Sequence, residues 1–185
     1  TEYHHRGVVK KVTEPSGQIT NFTYHPTNGR LTSVTDGVGT ISHTAYDNNG
    51  SLLNTSETRT GVVGARTTNR TYDRQDRLLS RTDENGQTIG YRYYPSGKLR
   101  KIIYPGGTET GTGHVEYTWW QSGQLKQVID KLDSTTTPRT TSYEWNTDGR
   151  LKKVTRPNNT CREVKYDAAG RPEIIEEYGP GRKLI

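Results

Sequence analysis

From Gln87 onward the apolar residues Ile89, Tyr91 and Tyr93 alternate with Thr88, Gly90 and Arg92, and the same alternation returns as Val115, Tyr117, Trp119 and as Thr141, Tyr143, Trp145. A period of two places these side chains on one face of a β-strand. Tyr94-Pro95-Ser96-Gly97 then reads as a turn, Lys98 to Ile103 as a second strand, and Tyr104-Pro105-Gly106-Gly107 as a second turn. In the second strand the spacing changes: Leu99 and Ile102 lie three apart, as do Leu31 and Val34, Leu125 and Val128, and Leu151 and Val154. Clean alternation would send such a pair to opposite faces. The spacing therefore predicts either a bulge near the turn or a sheet with cover on both sides.

This two-strand unit recurs along the chain. A leading aromatic stands at Tyr3, Tyr24, Tyr46, Tyr72, Tyr93, Trp119, Trp145 and Tyr166, with intervals of 21, 22, 26, 21, 26, 26 and 21 residues. A turn residue follows each in the same phase: Gly7, Gly29, Gly50, Asp76, Gly97, Gly123, Gly149 and Gly170. Asp76 is the one departure, and Asp is among the few residues that tolerate a left-handed backbone. Two residues after the turn an aliphatic closes the pattern in nearly every copy (Val9, Leu31, Leu52, Leu78, Leu99, Leu125, Leu151), with Pro172 in the last. Recurrence at this period marks a repeat architecture. The chain is expected to be all-β, an antiparallel hairpin strip of about sixteen strands that reverses every ten to eleven residues, with no long helix. The longer repeats carry their extra residues at the second turn, around Thr58 to Ala65, Gly106 to Gly113 and Asp130 to Pro138, so one rim should be ragged.

Tyr166-Asp167-Ala168-Ala169-Gly170-Arg171, Tyr46-Asp47-Asn48-Asn49-Gly50 and Tyr93-Tyr94-Pro95-Ser96-Gly97-Lys98-Leu99 resemble the YD signature of RHS/YD-repeat proteins. The resemblance runs from Tyr3 to at least Ile175, and its strength lies in eight copies in phase. It implies a strip curling or spiralling as part of a hollow bacterial shell related to toxin-complex and wall-associated YD-repeat proteins. Such a shell encloses a C-terminal effector or toxin, so the implied partners are the remainder of the parent shell and its cargo. The implied setting is secreted or cell-surface. The related animal YD proteins suggest the alternative, a cell-surface adhesion or carbohydrate-binding module with a glycan or surface ligand at Tyr94, Trp120 and the long-rim loops.

Composition sharpens the architecture. Only 28% of the residues are hydrophobic, too few for an ordinary globular core. The aromatics are concentrated instead: eight occupy the leading column and Phe22, Tyr91, Tyr117 and Tyr143 lie two positions before it. Stacked columns let a solenoid-like sheet bury surface without a globular centre. With no Met and a repeat under way at Tyr3, residues 1–185 are expected to be a single array cut from a longer chain. Its cut ends, near Tyr3 to Val12 and Glu173 to Ile185, would then associate edge to edge. Cys161 is alone, which excludes an intrachain disulfide, and its thiol reads as a passenger on the polar face. No apolar run is long enough for a membrane span.

Chemistry is sparse. His4, His5, His25, His43 and His114 fall at different phases with no recurring carboxylate or cysteine, so no metal site is expected. Asp47-Asn48-Asn49-Gly50 and Asp83-Glu84-Asn85-Gly86 lack the distal Glu of a calcium loop, and the Gly37 and Gly111 segments lack a phosphate loop's helix and lysine. No catalytic triad stands out, no cofactor is implied, and no enzyme is expected. Arg30, Arg77, Lys98, Arg150 and Arg171 each directly follow the turn residue. Such a row could track phosphates, but 20 acids interleave with 26 bases. The favoured reading is solvated charge that keeps the sheet faces soluble, and nucleic acid is not an expected partner.

Overall fold

The computed structural model describes residues 1–133, 137–182 and 184. Among the described residues the structure is all-β: sixteen strands, paired antiparallel, follow one another in the sheet in chain order, and one 3-10 turn spans Pro180–Arg182. Two compact units are present, Thr1–Ile89 and Gly90–Ile185.

In the first unit the strands are β1 (Glu2–Tyr3), β2 (Val9–Thr13), β3 (Ile19–Tyr24), β4 (Leu31–Thr35), β5 (Gly39–Tyr46), β6 (Leu52–Arg59), β7 (Arg66–Tyr72) and β8 (Leu78–Thr82). β9 (Thr88–Tyr93) begins at its end. The second unit continues with β10 (Leu99–Ile103), β11 (His114–Trp119), β12 (Leu125–Lys131), β13 (Arg139–Trp145), β14 (Leu151–Thr155), β15 (Cys161–Tyr166) and β16 (Pro172–Tyr178).

The odd spacing after each turn is resolved as a bulge. Tyr24 faces Leu31 and Phe22 faces Val34, yet Thr23 faces Ser33, so Thr32 is an extra residue in β4. The extra residue rotates the strand once, and directly opposite residues share a face. Leu31 and Val34, three apart, therefore lie beside Tyr24 and Phe22, two apart. The same register places Trp119 opposite Leu125 and Tyr117 opposite Val128, with Lys126 bulged. It recurs at Trp145–Leu151 and Tyr143–Val154, with Lys152 bulged.

Each hairpin closes on a tight turn whose fourth residue has positive φ, from Gly7 at 76° to Gly170 at 79°. Asp76 adopts φ 58° and, like the glycines other than Gly29, donates its N–H back to the residue three before it, Asp73; Gly29 closes a turn one residue longer, on His25. The other connections carry the insertions, at 60–65 between β6 and β7, at 104–113 between β10 and β11, and at 132–138 between β12 and β13. Residues 134–136 of that last loop lie outside the described residues.

Burial is shallow, as a single layer requires. Among the described residues, only Ile103 and Cys161 are buried apolar side chains, and only Lys101 and His114 are buried polar ones. Cys161 is 4% exposed in β15, opposite Tyr178. Lys101, Ile103 and His114 sink because the 104–113 loop lies over their end of the sheet, where Lys101 Nζ donates to the Glu109 carbonyl. His114 Nδ1 lies 3.0 Å from the Thr108 carbonyl. There the second face is covered as well.

Candidate functional site

In a one-layer strip the chemistry that matters is what ties one hairpin to the next. The leading aromatics supply it. Tyr46 Oη donates to the Leu31 carbonyl at 2.5 Å, and Tyr72 Oη to the Leu52 carbonyl at 2.9 Å. Trp119 Nε1 donates to the Leu99 carbonyl at 2.8 Å and Trp145 Nε1 to the Leu125 carbonyl at 2.7 Å. Tyr166 Oη donates to the Leu151 carbonyl at 2.8 Å. In every case the acceptor is the post-turn leucine of the preceding hairpin. Its carbonyl is open because the adjacent bulge interrupts the ladder. Tyr and Trp fit because each has an apolar body and a single polar handle.

The residue after the turn completes the link. Lys98 Nζ stands 4.6 Å from the Trp119 ring centroid and donates to the Gly123 carbonyl of the next turn. Arg30 lies 5.3 Å over Tyr46 and donates to the Asp47 carbonyl at 3.1 Å, and Arg150 lies 5.7 Å over Tyr166. Arg30 and Lys98 are thus clamped between an aromatic face and a backbone carbonyl, and Arg150 between the Tyr166 ring and the Asp148 carboxylate at 2.7 Å. The turn glycines therefore have a second task. A Cβ at Gly170 would stand 1.9 Å from the Arg150 guanidinium, and one at Gly50 or Gly123 would stand 3.2 Å from Arg30 or Lys98. Gly97 has open space instead and needs only its left-handed φ of 85°.

The Asp after the leading aromatic braces the turn from within. Asp73 Oδ1 accepts from the Gln75 and Arg77 N–H groups while Oδ2 pairs with the Arg77 guanidinium at 2.7 Å. Asp167 does the same for Arg171, and Asp47 Oδ1 accepts from the Ser51 N–H. Burial works against the Asp73 carboxylate, but the Arg77 N–H and guanidinium hold its pKa below the usual value. The Arg171 N–H and guanidinium hold Asp167 low likewise. Burial pushes the Tyr46 phenol up against the opposing pull of Arg30.

Not every rung is alike. Tyr3 is 62% exposed, and Tyr24 packs edge-on against His4 at 5.7 Å between centroids. Where Arg or Lys is replaced by Ser51, Asn49 Nδ2 and Ser51 Oγ donate instead to Asp76 of the next turn. Where it is replaced by Gln124, the amide reaches toward Gly149 but brings no charge to Trp145. The fixed phase of Arg30, Lys98 and Arg150 after the turn, and of Asp47 and Asp167 in the YD signature, is visible in the sequence; their roles as clamps and braces are not, because the partner ring or carbonyl comes from the next hairpin.

A second cluster lies on the opposite face under the 104–113 loop. Glu116 in β11 pairs with Lys101 at 2.8 Å and Lys131 at 3.2 Å, and His114 Nε2 approaches it at 3.3 Å. Burial would raise the Glu116 carboxyl, yet hydrogen bonds and charge from Lys101 and Lys131 hold it at about 2. Glu109 from the loop bridges Arg92 and Arg100 at 3.1 and 2.7 Å. No group of three or more His, Cys, Asp or Glu suited to a metal is present among the described residues.

Residues 3–41 and 72–109 match the RHS Repeat family. No curated protein sequence matches the chain. Among solved structures it is similar to TcdB2-TccC3-Cdc42, with 17% identity, a TM-score of 0.66, and coverage of 94% of this chain and 11% of that one. It is also similar to TcdB2-TccC3 without its hypervariable C-terminal region, at 17% identity, TM-score 0.67 and coverage of 96% and 11%. TcdB2-TccC3 itself gives 18% identity, TM-score 0.63 and coverage of 93% and 11%. The chain spans about 11% of the length of the structures it matches, and the likeness is one of fold. Residues 3–41 and 72–109 thus carry RHS repeats, and the chain shares the fold of these structures.

Proposed function

We propose that this RHS/YD-repeat chain is a wall segment, a single array over residues 1–185, of a hollow bacterial shell that encloses a C-terminal effector or toxin. The observation that carries the reading is the rung-to-rung clamp in a sheet with almost no core of its own. A strip whose aromatic stripe stays half-buried, but whose hairpins are locked in series, suits a barrier better than a binding globule. The mechanism is confinement: a closed wall keeps cargo from solvent, proteases and the producing cell, and release follows opening elsewhere. In support, one similar structure is described as lacking a hypervariable C-terminal region, the pattern expected where one wall serves many cargoes. The parent would act as a secreted or surface-delivered assembly, and its remaining wall and its cargo would be this segment's partners.

Protease protection tests this. Cargo within the full-length gene product should survive protease in the wild type and become digestible when Trp119, Trp145 and Tyr166 are all changed to Ala. Absence of any protected polypeptide in the wild type, or equal protection in the variant, would sink the proposal.

One observation favours a surface-adhesion reading as the second choice. Trp120 is 44% exposed, and a cleft of about 560 Å³ opens between it and Trp145, lined also by Gln121, Glu144 and Asn146. Indole faces beside amides suit a sugar ring. Glycan-array binding lost on Trp120→Ala, with cargo protection intact, would move the assignment there.

A further inference from the structure

At the register where most hairpins set an aromatic or aliphatic pair, one hairpin sets two cations. The pairs are Phe22–Val34, Tyr91–Ile102, Tyr117–Val128, Tyr143–Val154 and Val164–Ile175. In β7–β8 the directly opposed residues are Arg70 and Arg81. The preceding hairpin has His43 opposite Thr55, and Thr55 in turn faces Thr68. The apolar stripe is thus interrupted, within the first unit, by a continuous polar patch across β5 to β8.

Like charges placed directly opposite in a ladder are destabilising, and nothing in the fold relieves these two. Among the described residues no carboxylate lies within ion-pair distance of either guanidinium; Arg70 has only a 3.5 Å contact with Thr55 Oγ1. The nearby acids are engaged elsewhere. Glu57 is held by Arg59 at 2.5 Å and Glu84 by Arg66 at 3.8 Å, while Asp83 Oδ1 accepts from the Asn85 and Gln87 N–H groups. The patch is concave, forming a cleft of about 570 Å³. Its lining carries Arg70, Arg81, Thr55, Thr68 and His43, with Arg66 and the carboxylates Glu57, Asp83 and Glu84 beside them. Tyr46 has committed its hydroxyl proton to the Leu31 carbonyl, so His43 Nδ1, 3.1 Å from that oxygen, is the donor there, and the neutral ring's Nε2 is an acceptor that offers an anion no proton.

We propose that the Arg70–Arg81 cleft, with Thr55 and Thr68, is a binding site for an oxyanion, a carboxylate or a phosphate group. Planar guanidinium forks match such groups two bonds at a time, and the anion would supply the countercharge the ladder lacks. The inference stands on the first unit alone and is independent of the wall reading.

The test uses two probes at low, constant ionic strength: inorganic phosphate, and a hexaglutamate peptide as the carboxylate source. Calorimetry and thermal denaturation are run on the wild type and on the double variant R70Y/R81V, which installs the pair found at Tyr117–Val128. The wild type should bind at least one probe and be stabilised by it. The variant should lose about tenfold or more in affinity. Its own melting temperature should rise by about 2–4 °C, because a repulsive pair is replaced by an attractive one. If the apolar pair fails to fold, R70K/R81K replaces it: charge is kept, the forks are lost, and affinity should still fall roughly tenfold. Response to phosphate alone assigns a phosphate ligand; response to the peptide alone assigns an acidic polypeptide segment. Failure of the wild type to bind either probe at millimolar concentration, or variants that bind as well as the wild type, would overturn the proposal.

Discussion

At the scale of single residues, stability in this chain rests on side chains that would be peripheral in a globular protein. Tyr166→Phe removes one bond to the Leu151 carbonyl and should cost about 1 kcal/mol, while Tyr166→Ala, which also removes the ring, should cost about 3 kcal/mol; urea denaturation separates the two. Changing Arg30, Lys98 and Arg150 together to Ala should cost about 2–3 kcal/mol, since each loses a cation–π contact worth roughly 0.5–1 kcal/mol and a place against the next turn. Were they solvated charges, the triple variant would be nearly neutral. Glu116 sets an acid limit. Its folded pKa of about 2 lies below its ordinary value of 4.5, so its contribution is present above about 4.5 and is lost as pH falls toward 2. Glu116→Gln should destabilise the fold at neutral pH by about 3 kcal/mol, by leaving Lys101 buried and unpaired. It should also flatten the loss of stability between pH 4.5 and 2, which pH-dependent denaturation of both proteins will show.

At the scale of the hairpin, backbone geometry decides which changes are tolerated. A Cβ on Gly39 would lie 2.0 Å from the Thr58 carbonyl, inside the β5–β6 ladder, whereas one on Gly37 would meet nothing within 4 Å. Gly39→Ala should therefore cost about 2 kcal/mol or more and speed exchange of the Thr60 amide, which donates to the Val38 carbonyl at 2.8 Å. Gly37→Ala should stay within about 0.5 kcal/mol of the wild type. The two glycines stand two residues apart in the sequence. Only strand pairing tells them apart.

At the scale of the whole molecule, a strip with strands at its margins has a chemistry of edges. β16 pairs with β15 along its length and carries Ile174 and Ile175 at 42% and 58% exposure. An apolar edge strand is a template for another chain. Residues 1–185 produced alone should associate with rising concentration in sedimentation velocity, and Ile174→Lys with Ile175→Lys should shift the distribution toward monomer. A sharp, dilution-resistant monomer for the unmodified chain would contradict this.

The sequence by itself determined the class, the repeat and the rungs. Strand alternation, the column from Tyr3 to Tyr166 and the turn residues from Gly7 to Gly170 are local features, written in steric preferences that act over a few neighbouring residues. It also narrowed the odd spacing of Leu99 and Ile102 to two explanations. Choosing between them needed the register, which shows bulges beside the turns and, at the 104–113 loop, cover as well. Three further things depend on groups some fifteen to twenty-five residues apart: the Leu31 carbonyl beneath Tyr46, Lys98 against Trp119, and Arg70 beside Thr55. Only the tertiary structure decided these. Charge and hydropathy describe a side chain in water, whereas its role here depends on which backbone dipole, ring or like charge the next hairpin brings to it.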